Sequence, residues 1–79
     1  MIMKYFSIKD VKADEFGDLM FAKNEEVAKR IFGQILSKNP YIASDLQLYC
    51  IGDFDNETGC FCPIVPYVIA DNVVEDNKE

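Results

Sequence analysis

Apolar and polar residues alternate along several stretches of this chain, and one stretch shows the spacing of a helix. In residues 3–11, Phe6 and Ile8 fall on one side and Tyr5, Ser7 and Lys9 on the other, which predicts a first strand. Lys12 to Asp18 is polar, contains Gly17 and is expected to be a connection. Leu19 to Ala22 is a short apolar run that predicts a second strand pairing with the first.

Asn24 then predicts a helix start, because its side chain can accept a bond from an unpaired backbone N–H. Glu25 and Glu26 in the first turn complement the helix dipole. Val27, Ala28, Ile31, Phe32, Ile35 and Leu36 form one apolar face, and Pro40 stops the helix near Lys38 or Asn39. Tyr41 to Ser44 is a link.

The segment from Asp45 to Gly59 predicts a third strand and a hairpin turn. Leu46, Leu48 and Cys50 are expected on one face, with Gln47, Tyr49 and Asp53 on the other. Asp55 to Thr58 bond their own backbone, and Gly59 takes a positive φ without penalty. Cys60 to Ala70 is a fourth strand, which Pro63 and Pro66 assign to a sheet edge or to a bulge.

The fold class is therefore α+β. Strand-strand-helix-strand-strand packs most simply as a small antiparallel sheet with one helix on one face. Residues 1–70 form one expected domain, and residues 71–79 an acidic, mobile tail with a solubilising role. At 79 residues the chain holds one modest core.

Charge changes the picture next. The net charge is −6, with seven basic and six acidic side chains in residues 1–38 but one basic and eight acidic in residues 39–79. Nucleic-acid affinity comes largely from neutralising phosphates, so a DNA surface would have to lie in the N-terminal half. The opening residues include Lys4 and Lys9 and lack a secretory pattern, and no apolar run reaches membrane-span length. A cytoplasmic location follows, with Cys50, Cys60 and Cys62 as reduced thiols.

Catalytic and metal chemistry find little support. The chain has no histidine, which excludes Ser–His and Cys–His pairs. Three cysteines without histidine fall short of a structural zinc set, so they are expected to pack as small hydrophobes, Cys60 and Cys62 beside Cys50. With Asp53 as first ligand of a calcium loop, the sixth position is Thr58 and the twelfth Ile64, where glycine and glutamate are needed. The expectation is a non-enzyme without metal or cofactor.

If the helix covers Phe6, Ile8, Leu46 and Leu48, then Tyr5, Ser7, Lys9, Gln47 and Tyr49 share the opposite face. Exposed tyrosines beside a lysine can stack bases of single-stranded DNA, with Lys4, Lys12 and Arg30 as further contacts. Cross-strand contact or a subunit interface is favoured over base stacking, because basic residues are few. Lys23, Lys29 and Arg30 make a second basic spot, in which Glu25 and Glu26 screen Lys29 and Arg30.

An ordered set of residues runs through these elements: Tyr5-Phe6-Ser7-Ile8-Lys9-Asp10, Lys12-Ala13, Phe16, Asn24-Glu25, Ala28, Arg30 and Phe32. It continues through Asp45-Leu46, Leu48-Tyr49, Ile51-Gly52, Phe54-Asp55 and Thr58-Gly59. Over roughly residues 4–66 this set resembles the small non-structural protein of gokushovirus-type microviruses, which are single-stranded DNA phages. The resemblance implies an accessory protein in the cytoplasm of an infected bacterium, tied to viral single-stranded DNA replication or to its coupling with assembly. The open sheet face, the acidic C-terminal half and the absence of catalytic groups add the expectation of contacts with viral or host replication proteins and of self-association into a homo-oligomer. Direct binding of single-stranded DNA is the alternative.

Overall fold

The computed structural model describes residues 1–73. Its elements are β1 (Ile2–Asp10), β2 (Glu15–Ala22), α1 (Glu25–Lys38), a 3-10 turn (Ala43–Asp45), β3 (Leu46–Asp55) and β4 (Phe61–Asp71). All strand pairs are antiparallel, in the order β2-β1-β3-β4. The helix touches all four strands from one side. The result is the expected α+β fold, an open sheet plus one helix.

The core lies between helix and sheet. Phe6, Leu46, Leu48 and Cys50 from β1 and β3 meet Ala28 and Phe32 of α1, with Ala22 closing one side. Phe6 and Leu48 are fully buried, and each contributes about 2–3 kcal/mol relative to exposure. Asn24 has extended backbone and accepts from the Val27 N–H at 2.9 Å, so the helix starts where its capping residue predicts.

The first reversal is tighter than the polar stretch indicates. The Asp10 carboxylate accepts from the N–H groups of Lys12 and Ala13 at 3.0 and 3.1 Å. Asp14 takes φ 59, and β2 already begins at Glu15, four residues ahead of the apolar run. Pairing with Asp10 and Lys9 of β1 holds Glu15 and Phe16 in the sheet, and Gly17 and Asp18 fall where the register shifts, although this stretch carries no alternating pattern.

Bulges reorganise the faces. Tyr5 pairs with Gly52 but Phe6 pairs with Cys50, so Ile51 is an extra residue in β3. Beyond Ile51 the alternation inverts. Gly52 and Phe54 join the Gln47 and Tyr49 face, and Asp53 moves to the helix side, opposite Lys4, contrary to the expectation that Asp53 shares a face with Tyr49. β4 is an edge strand containing Pro63 and Pro66, and its register shifts twice against β3.

Cys60 and Cys62 are exposed, and only Cys50 is buried, which corrects their expected packing together in the core. A helix of 14 residues is about 21 Å long, while strands of 9 to 11 residues run about 30–36 Å. Cys62 pairs with Asp53, at the end of the sheet that the helix leaves uncovered.

Asp71 ends β4, and Asn72 is held by its N–H on the Leu46 carbonyl at 3.1 Å and its side chain on the Ala43 carbonyl at 2.7 Å. Residues 74–79 of the expected acidic tail lie outside the described residues. Among the described residues, no helix is long and apolar enough to cross a membrane.

Candidate interaction face

Because α1 covers one side of the sheet, the other side is open, and the strand registers decide what stands on it. Tyr5, Ser7 and Lys9 of β1 pair with Phe21, Leu19 and Phe16 of β2 on one flank. On the other flank they pair with Gly52, Tyr49 and Gln47 of β3. Phe54 pairs with Phe61, and Tyr49 with Val68. Tyr5, Ser7, Lys9, Gln47 and Tyr49 therefore share a face, as their alternation predicts.

Two aromatic groups form on this face. The Tyr5 ring lies 5.9 Å from Phe21, 5.9 Å from Phe54 and 5.5 Å from Phe61, the last two edge-on. Phe16 meets Tyr49 edge-on at 5.0 Å, and the Lys9 ammonium lies 5.5 Å from the Phe16 ring centre. These separations suit favourable ring contacts.

Between the groups is an apolar hollow of about 250 Å³, lined by Ser7, Phe16, Gly17, Leu19, Ile51 and Pro66. It exists because the residue at its floor is small and the bulges bend the strands around it. The Ser7 hydroxyl donates to the Gly17 carbonyl at 3.0 Å, so the floor's side-chain polar group is satisfied internally.

Polar groups gather at one end and are mutually satisfied. Lys9 pairs with Asp14 at 3.5 Å. The Tyr49 hydroxyl donates to Gln47 at 3.1 Å, and the Gln47 amide donates to Asp71 at 3.2 Å.

The predicted set thus divides. Tyr5, Lys9 and Tyr49 share the open face. Lys4 lies on the helix side with Asp53 at 3.3 Å, Lys12 lies in the β1–β2 turn, and Arg30 is exposed on α1. The first basic set does not form one surface. Of the second spot, Lys29 pairs with Glu26 at 3.8 Å.

Sequence reasoning missed Phe16, Leu19, Phe21, Phe54 and Phe61. Leu19 and Phe21 alternate with Met20 and Ala22, so their shared face was legible in the spacing. Phe16 is hidden in a polar stretch, and Phe54 reaches the face only through the Ile51 bulge.

The fold and its open face are accompanied by one match to known proteins. The sequence model described as phage ORF5 protein matches residues 3–75, nearly the whole chain. The chain belongs to the phage ORF5 protein family. It is therefore a phage protein, and the family match covers the helix and all four strands apart from Ile2. No curated protein and no solved structure matches the chain.

Proposed function

We propose that this chain is a non-catalytic accessory protein of a gokushovirus-type microvirus, acting in the cytoplasm of the infected bacterium. It works in viral single-stranded DNA replication, or in coupling replication to assembly, through protein contacts made by its open sheet face. The observation that carries this reading is the makeup of that face. Phe16, Leu19, Phe21, Phe61 and Val68 are each more than two-fifths exposed there, and contiguous apolar surface of this kind marks interaction sites. Membership of a phage family and the ordered residues shared with the microvirus non-structural protein support the setting.

Direct binding of single-stranded DNA is the second reading, supported by Tyr5 and Tyr49 on the open face. It is weaker because Lys9 is the cation that the strand registers bring to this face, and Asp14 already pairs it. Fluorescence anisotropy with a labelled single-stranded oligonucleotide, at low and physiological salt, separates the two. Protein contact predicts no salt-sensitive binding. Micromolar binding that weakens with salt and is lost in Tyr49→Ala would replace it with the DNA reading.

A further inference from the structure

We infer that a second copy of this chain covers the open face, the two sheets packing face to face about a two-fold axis that runs along the strands. This rests on reading that face as a protein contact surface, and it names the partner. Size is the first argument. Four strands spaced about 4.8 Å apart and roughly 30 Å long present a face of about 600 Å² in projection. Side-chain relief brings this near the roughly 800 Å² per partner of a stable interface.

Charge selects the occupant. The chain carries −6, yet its open face holds Lys9 with Asp14 at one end and Gln47 with Asp71 beside them. Asp10 and Asp53 lie on the helix side, and Glu25 and Glu26 on the helix itself. Among the described residues, a polyanion would find one cation there, already paired with Asp14. A second copy brings an apolar centre to an apolar centre, and at the polar end it adds its own Lys9 beside Asp14 and Asp71.

The same polarity sets the axis. A two-fold along the strands places β1 over β3 and β2 over β4, and keeps the polar end of one sheet on that of the other. Lys9 of one copy then approaches Gln47 and Asp71 of its mate. An axis across the strands would instead press the polar end, with the Lys9–Asp14 pair, Gln47 and Asp71, against the Tyr5, Phe54 and Phe61 rings of the mate, at a desolvation cost. In the favoured arrangement Leu19, 59% exposed, stands over the Pro66 side of its mate's hollow, where an apolar side chain replaces empty space.

Sedimentation equilibrium of the full chain across the micromolar range tests this, with Leu19→Asp, Phe21→Asp and a control of equal charge on the outer helix face, Gln34→Glu. Wild type and control are expected at twice 9.0 kDa. The two face variants are expected as monomers with unchanged circular dichroism, their self-association weaker by about a hundredfold or more, as for loss of an interface hot spot. Phe21→Asp gives the same readout if Leu19→Asp does not fold. A wild-type monomer throughout, or a dimer that both face variants leave intact, overturns the inference.

Complementation of a phage lacking the gene separates the two levels. If the wild type is monomeric and Leu19→Asp still abolishes complementation, the second copy is wrong and the contact-surface reading stands. If Leu19→Asp leaves both dimer and complementation intact, both fall.

Discussion

Phe61 occupies the space that a side chain at position 52 would need. A Cβ built on Gly52 would stand 2.7 Å from the Phe61 ring and 2.9 Å from the Cys62 carbonyl oxygen. The glycine lets the ring lie across the β3–β4 pair and reach Tyr5 at 5.5 Å. Relief would require β4 backbone to move as well as the ring. Gly52→Ala is therefore expected to destabilise the fold by about 1–3 kcal/mol in urea denaturation, as overpacking does. An unchanged midpoint would show that the two strands separate more easily than this contact implies.

The helix cap gives a second prediction. Asn24 satisfies the Val27 N–H at 2.9 Å, and Asn24→Ala removes that acceptor. The expected loss is about 1 kcal/mol, or roughly 4–8 °C in Tm for a domain of this size, while Asn24→Ser restores most of it. Equal melting of the alanine and serine variants would assign the cap no role.

The thiols give a third. Of the three cysteines, Cys50 is buried whereas Cys60 and Cys62 are exposed. A thiol reagent under native conditions should modify two groups quickly, and the third only as the chain unfolds. Rapid modification of all three would mean that the Cys50 core opens readily.

Tyr67 provides the pH prediction. It is the partner of Cys50 across β3 and β4, and its hydroxyl donates to the Glu25 carboxylate at 2.9 Å, tying the edge strand to the helix start. Hydrogen bonding with Cys50 and then Glu25 raises its pKa above the ordinary 10.0. Above pH 10 the unfolded chain has lost this proton while the folded chain retains it. Stability contributed by the phenol is thus full below pH 10 and falls as pH rises through the folded value. In a spectrophotometric titration, one of the four tyrosines should ionise later than the rest, and Tyr67→Phe should remove that phase. Four coincident ionisations would contradict the bond.

Much of the fold was legible because local chemistry specifies it. Asn24 and Pro40 bracket a helix whose apolar spacing buries Ala28 and Phe32, and Asp55 to Gly59 close a hairpin with Gly59 at φ 79. Period-two spacing placed Phe6, Leu46, Leu48 and Cys50 in the core and Tyr5, Lys9 and Tyr49 opposite. These are short-range effects, set by residues within a few positions of one another.

What only the tertiary structure decided comes from pairing between distant strands. The start of β2 at Glu15 depends on β1 as its partner, and the inversion at Ile51 depends on registers that no local window contains. That inversion sends Asp53 to Lys4 and Phe54 to Tyr5, and the helix's shorter reach leaves Cys62 exposed. The order β2-β1-β3-β4 then gathers Phe16, Leu19, Phe21, Phe54 and Phe61 with the tyrosines. Side-chain alternation determines two faces for each strand by itself, but one extra residue in a strand exchanges them, and only backbone hydrogen bonding across the sheet sets where that residue lies.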